Sequence, residues 1–305
     1  MNDLQIPAVP EDPVQMMLDV LELSSTEART SEDIFVGDSH WMMNGRVYGG
    51  QVMAQAAVAA QRTIDGGRDI HSMHGYFLRP GDTNRTITFA VDRIHDGRSF
   101  ATRRTQAYQE GMPILSMIAS FQTDDGGPEA QSPMPRNMPS PEDLPTAEET
   151  LRGFDHPMAE HWSQGRPFDF RHVEGPLWAP NERYDPDSGM MHVWVKAKRE
   201  LPDDDALQRA ALVYMSDSAI LEPVLRRHRV TWLTPGIKMA SLDHAIWWHR
   251  PTRVDEWLLL RMHTTSSGGG RGLAHCRVFN REGLHVASFA QEGMVRIPVE
   301  QEAAR

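Results

Sequence analysis

Asp217 is out of place among its neighbours. The segment from Ala206 to Arg227, ALQRAALVYMSDSAILEPVLRR, reads as one helix whose stripe Ala210, Val213, Tyr214, Asp217, Ile220, Leu221 and Val224 has the i, i+3, i+4, i+7 spacing of a core-facing surface. A carboxylate sits in mid-stripe. Burying an ionised side chain is costly unless it is hydrogen-bonded, so this acid is either a satisfied structural Asp or a group with a task. A carboxylate in a partly desolvated site can act as a general base. Two candidate partners lie downstream: Ser241, opening the strand SLDHAIWW, and Gln291, which shares strand parity with Ala287 and Phe289 and so points inward with them.

Other reactive patterns are missing. The chain has no Gly-x-Ser-x-Gly elbow, no His-Glu-x-x-His and no P-loop, and Ser267 to Gly272 lacks dinucleotide-binding spacing and reads as a hairpin or bulge. His71 with His74, and His244 with His249, fall on opposite faces of their strands, so no metal site is expected.

The elements that would position Asp217 occur twice. Asp12 as N-cap, Pro13, and the stripe Val14, Met17, Leu18 and Leu21 predict a short, peripheral first helix. Ile34 to Trp41 reads as a strand, and the turn-like Asn44-Gly45 leads to Tyr48-Gly49-Gly50. There QVMAQAAVAAQRTI begins an Ala-rich helix with small residues on nearly every face, ended by Gly66-Gly67. Between His71 and Gln122 the period becomes two, with strand-like runs HSMHGYFL, TITFAVDRI, SFATRRTQAY and ILSMIASF, an antiparallel meander.

Residues 123–186 are Pro-rich and read as a linker, packed on the surface through Phe154, Trp162, Phe168, Phe170 and Trp178. Beyond it come a strand from Met190 to Lys196, the Asp217 helix, and four strand-like runs from Ser241 to Arg296. Phe77-Leu78-Arg79-Pro80 matches Trp248-His249-Arg250-Pro251, Gly97-Arg98 matches Gly270-Arg271, Glu110-Gly111 matches Glu282-Gly283, and Ala119-Ser120-Phe121 matches Ala287-Ser288-Phe289. Four anchors in one order indicate duplication. The expected fold is α+β, a double hotdog: an N-terminal repeat at 1–122, the linker at 123–186 and a C-terminal repeat at 187–305. Only the second helix carries a mid-helix acid, which favours one specialised site per chain.

With 305 residues and 40% hydrophobic content the chain can bury large cores. A net charge of -11 and a pI near 5.7 argue against nucleic acid or an anionic membrane as partner. The single cysteine, Cys276, excludes an internal disulfide and suits a reducing compartment. The acidic N-terminus lacks a signal-peptide pattern, no stretch has transmembrane character, and the final EAAR is not a peroxisomal address, so the cytoplasm is expected and membrane insertion is not. The eighteen methionines fit gap-filling in the core, with an adaptable apolar tunnel as the alternative.

Across nearly its whole length the chain resembles the acyl-CoA thioesterase II family, the TesB-type double-hotdog enzymes. The resemblance rests on Tyr48-Gly49-Gly50-Gln51, the run from His71 to Asp82, Asp96 to Phe100 with Arg103-Arg104, Tyr214 to Asp217, Leu242 to Pro251, Asp255 to Leu259 and Ala290 to Gly293. It implies hydrolysis of medium- to long-chain fatty acyl-CoA without a cofactor, by an Asp, a Thr and a Gln that hold the attacking water. Asp217 and Gln291 match; Ser241 stands where the family has Thr, keeping the hydroxyl and losing the methyl that restricts its rotamer. The N–H groups of Gly49, Gly50 and Gln51 would polarise the carbonyl, if the first repeat faces the second across the site. Further dimer or tetramer formation is also implied. Two other readings stay open: an acyl-CoA binding or sensing module with a decayed site, and an enoyl-CoA hydratase, whose Asp and His motif is not found. Arg79, Arg104, Arg250 and Arg271 could meet CoA phosphates, although strand arginines more often pair with surface acids.

Overall fold

The computed structural model describes residues 7–26, 31–43, 45–154, 156, 159–175, 177 and 188–298; Asn44, Trp178, the first six residues and the EAAR terminus lie outside them. In chain order the elements are α1 (Pro13–Leu21), β1 (Ser24–Ser25), β2 (Asp33–Gly37), α2 (Gly49–Gln61), β3 (Arg68–Phe77), β4 (Ile87–Asp96), β5 (Phe100–Gln109) and β6 (Met112–Thr123). After a 3-10 turn at Pro141–Asp143 follow α3 (Ala147–Leu151), α4 (Ala159–Ser163), β7 (Phe168–His172), β8 (Met190–Ala197), α5 (Asp205–Ser216) and α6 (Glu222–Arg227). The chain ends with β9 (Lys238–Ser241), β10 (Asp243–Trp248), β11 (Leu258–Gly268), β12 (Arg271–Asn280) and β13 (His285–Arg296).

Among the described residues the strands form one 13-stranded sheet in the order β1-β2-β4-β5-β6-β3-β10-β13-β12-β11-β8-β7, with β9 paired to β13. The duplication is visible in that order. The first repeat runs β2-β4-β5-β6-β3 and the second, read from its outer edge inward, β8-β11-β12-β13-β10. Antiparallel pairing of β3 with β10, from Tyr76 opposite Asp243 to Ser72 opposite Trp247, joins them. This is the expected double hotdog. The expected meander holds only for β4, β5 and β6, because β3 pairs with β6 instead of β4.

Helices α2 and α5 lie against the sheet. Helix α2 is buried on almost every face, from Gly50 through Ala57 and again at Ala59 and Ala60, which its small side chains permit. The two helices run antiparallel: Gly50, opening α2, meets Tyr214 near the end of α5, whereas Val58 and Arg62 share a groove with Asp204 and Leu207. At that second end, the guanidinium of buried Arg103 donates to both the hydroxyl and the carbonyl of Thr63, and to the Asp96 carboxylate. Asp204 caps α5 by accepting from the Leu207 N–H.

Three local expectations need correction. Helix α1 starts at Pro13 with Asp12 as its cap, but it is not peripheral, since Val14, Met17, Val20 and Leu21 are buried in the main core. Strand β2 stops at Gly37 and does not reach Trp41; the Asp38 carbonyl beyond it accepts instead from the amides of Gln51 and Gln55. The segment 206–227 is two helices, broken after Ser216. Pro223 has no N–H for the Ala219 carbonyl, which takes the Glu222 N–H in a tighter turn.

Residues 123–186 carry more structure than a bare linker. Strand β7 adds to the second repeat's edge beside β8, and its Phe168 and Phe170 enter the main core. Leu144 packs with Trp194, Trp257, Leu259 and Phe279 in a second, smaller cluster.

Candidate active site

The break between α5 and α6 makes Asp217 the C-terminal cap of α5 and not a mid-helix residue. A carboxylate there faces the negative end of its own helix dipole, which is unfavourable. The compensation comes from the other repeat. The first turn of α2 points at Asp217, and the Gly50 N–H donates to its Oδ2 at 2.9 Å.

Two glycines allow this approach. A Cβ on Gly49 would lie 2.7 Å from Asp217 Oδ2, and one on Gly50 would lie 2.4 Å from the Tyr214 carbonyl oxygen. Tyr48 closes the joint: its hydroxyl donates to that carbonyl at 2.8 Å and accepts from Ser218, also at 2.8 Å. A helical ladder would have given Tyr214 the Ser218 N–H, which bonds to Met215 instead. Burial and, next, the charge of Asp217 push the Tyr48 phenol well above its usual range, so it stays a neutral donor.

The other oxygen of Asp217 faces the second repeat's strands. Ser241 ends β9, and the chain bends at Leu242, whose N–H bonds to the Glu292 carbonyl, before β10 begins. From that bend the Ser241 hydroxyl donates to Asp217 Oδ1 at 3.3 Å. Gln291 on β13 is 1% exposed, inward as its parity requires, and its Nε2 donates to Ser241 Oγ at 2.8 Å. Asp217, Ser241 and Gln291, far apart in sequence, therefore form one hydrogen-bonded row.

A fourth side chain extends the row. His244, set aside in the sequence because His249 is no plausible co-ligand, is buried on β10 with Nδ1 2.5 Å from Gln291 Oε1 and Nε2 2.7 Å from Ser216 Oγ. Its motif, Asp243-His244, was visible three residues after Ser241, but its partner follows from the β10–β13 register, which pairs Ala245 with Ala290 and so sets His244 beside Gln291.

The candidates at the α2 start divide. Gly50 directs its N–H to Asp217, and Gly49 leaves room for the carboxylate. The Gln51 N–H closes on the Tyr48 carbonyl, while its buried side chain accepts from the His40 N–H and donates to Asp38 and Gln55. His40 Nε2 in turn meets the Tyr214 hydroxyl at 2.7 Å. Burial lowers the His40 pKa, so Nδ1–H donates to the Trp41 carbonyl and the tyrosine donates to Nε2. Gln51 thus braces the loop before α2.

A cavity of about 430 Å³ has Tyr48, Tyr214 and Ser218, neighbours of Asp217, in its wall and a largely apolar lining that includes Trp41, Met42 and Phe168; Asp217, Ser241 and Gln291 themselves do not line it. Met16 and Met43 join that lining, whereas Met17, Met53, Met117 and Met191 are core residues. The arginines considered for phosphate binding have partners in the protein: Arg79 with the Pro113 carbonyl, Arg104 with Asp92, Arg250 with the His285 carbonyl and Glu129, and Arg271 with Glu292.

Comparison with known proteins matches both halves of the chain. A family model described as an acyl-CoA thioesterase N-terminal domain matches residues 38–122, and one described as an acyl-CoA thioesterase C-terminal domain matches residues 141–295. Acyl-CoA thioesterase 2 of Haemophilus influenzae is 34% identical over 272 residues, covering 86% of this chain and 92% of that protein. Human acyl-coenzyme A thioesterase 8 is 32% identical over 278 residues, covering 87% and 85%. The crystal structure of acyl-CoA thioesterase II TesB2 from Mycobacterium marinum aligns with a TM-score of 0.75 at 38% identity, covering 92% of this chain and 98% of that one.

The close helix contact is open to test by urea denaturation. Gly50→Ala should lower stability by roughly 1–3 kcal/mol, the usual range for an overpacked contact, because the Tyr214 carbonyl on one side and the Tyr48 ring on the other block the new methyl. Unchanged stability would show that α2 and α5 do not meet as described.

Proposed function

The chain belongs to the TesB-type acyl-CoA thioesterase II family, and from that premise we propose that it hydrolyses medium- to long-chain fatty acyl-CoA thioesters to fatty acid and CoA. The observation that carries the reading is the Asp217 carboxylate, held between the Gly50 N–H and the Ser241 hydroxyl, with its neighbours Tyr48 and Ser218 in the wall of an apolar cavity. Asp217 is the general base. Ser241 and Gln291 hold the water, whose oxygen attacks the thioester carbonyl as its proton passes to Asp217. The C–S bond then breaks, the CoA thiolate leaves, and that proton returns to sulfur.

The positive end of α2 favours the oxyanion through its dipole; of the Gly49, Gly50 and Gln51 N–H groups, those of Gly50 and Gln51 are already bonded to Asp217 and to the Tyr48 carbonyl. The acyl chain enters the cavity lined by Trp41, Met42 and Phe168. The reaction consumes water and calls for no cofactor. We assign the halves to an N-terminal repeat at 1–122 and a C-terminal repeat at 187–305, with 123–186 connecting them and covering the second.

The proposed setting is the cytoplasm, which suits the buried, unpaired Cys276. Among the described residues no helix is long and apolar enough to cross a membrane. Tyr76, Ile118 and Trp247 are exposed on β3, β6 and β10, on the sheet face turned away from α2 and α5, and we place a homodimer contact there. Trp247→Glu should convert the dimer to a monomer in sedimentation; an unchanged mass, or a monomeric wild type, discards that contact.

Thiol-release kinetics over a series of acyl-CoA chain lengths tests the activity. Asp217→Asn should lower kcat about 100-fold or more with the fold intact, the scale of a lost general base. Near-normal turnover by that variant removes Asp217 from the mechanism, and saturable binding by the wild type without thiol release assigns a sensing role instead. Ser241→Thr should keep or raise activity; an inactive but folded variant would show a site rebuilt around serine.

A further inference from the structure

His244 is the buried side chain that the proposed chemistry leaves unused. It is 1% exposed, and both of its ring nitrogens have polar partners, Gln291 and Ser216. The internal repeat shows what this position holds when no acid is near. Counting back from the anchors Trp248 and Phe77, His244 corresponds to Met73 and Ser241 to Ile70, both buried and apolar; counting from Ala287 and Ala119, Gln291 corresponds to Thr123. The histidine and its amide partner thus occur only in the repeat that carries Asp217.

Proton directions follow from the carboxylate outward. An ionised carboxylate can only accept, so the Ser241 proton points to Asp217. The Ser241 oxygen is then free to accept, and Gln291 meets it with Nε2–H. That leaves Gln291 Oε1 facing His244, and a ring protonated on Nδ1 satisfies it. With the amide turned over, Oε1 would draw the Ser241 proton away from Asp217.

We infer that His244 is a positioning residue that locks the Gln291 amide so that its N–H faces Ser241 and the attacking water, an inference that rests on the function proposed above. Ser216 completes the lock. Its single hydroxyl proton has two acceptors within reach, the Val213 carbonyl at 2.8 Å and His244 Nε2 at 2.7 Å, and in the neutral Nδ1–H form of the ring it turns from the carbonyl to Nε2. Burial lowers the His244 pKa against the pull of the Asp217 charge; Asp243, which attracts a proton, and His74, which opposes one, also act on it.

The experiment uses the two amides that each imitate one ring nitrogen. Asparagine places an N–H near Nδ1, whereas glutamine reaches the Nε2 position and offers nothing at Nδ1. Thiol-release kinetics and thermal melts would be run on His244→Asn, His244→Gln, Gln291→Ala and the double variant His244→Gln/Gln291→Ala. His244→Gln should lower kcat about tenfold, the scale of one lost hydrogen bond, with little change in KM, and His244→Asn should restore most of it. In the Gln291→Ala background, His244→Gln should have no further effect on kcat, since the histidine acts through the amide.

Equal losses in the Asn and Gln variants with lowered melting temperatures would overturn the inference in favour of simple core packing. An undiminished effect in the Gln291→Ala background would overturn it in favour of a route that bypasses Gln291. Wild-type kcat in Gln291→Ala alone would remove the proposed water-holding role and this inference with it, an outcome distinct from the other two.

Discussion

The contact between the Gly50 N–H and the Asp217 carboxylate is the constraint around which the molecule is arranged. An acid at the C-terminal end of α5 is unfavourable within its own helix and becomes favourable only when another helix presents its N-terminus. That requirement fixes the antiparallel placement of α2 and α5, excludes a side chain at Gly49 and Gly50, and makes each repeat incomplete without the other. It also sets the reactivity. One carboxylate oxygen is held by the first repeat and the other by Ser241 of the second, so the carboxylate, the base of the proposed reaction, is oriented before any substrate arrives.

Much of this was legible in the sequence. Period-two runs located the strands, the Ala-rich composition of α2 announced a helix enclosed on all sides, and four ordered anchors exposed the duplication. Asp217, Ser241 and Gln291 were found as candidates and stand in one hydrogen-bonded row. The break at Asp217 was not legible, because hydrophobic periodicity survives a turn of nearly helical backbone and registers no loss of individual hydrogen bonds. Pro223 was the available clue. The pairing of β3 with β6 escaped for another reason: strand partners are chosen by the whole sheet, and a run of strands in sequence suggests neighbours that need not be neighbours in space.

Gln51 and His244 show the same limit at the level of side chains. A residue type in a motif advertises chemistry, but its task depends on what faces it. Gln51 faces the loop carrying Asp38 and His40, and serves the scaffold; His244, dismissed for want of a second metal ligand, faces an amide 47 residues away.

The far end of the helix pair has a quieter meaning. Where symmetry between the repeats would place a second centre, Arg103 occupies the Thr63 end of α2, and Asp204 satisfies the N-terminus of α5 from within its own chain. At this position, related to the first by the rotation between the repeats, local caps take up the polar groups beside the groove. Two identical subunits must carry the same sequence at both of their shared centres, so each change is made twice and each centre can influence the other. A fused pair in which one end is capped is released from that bond: its two repeats can drift independently.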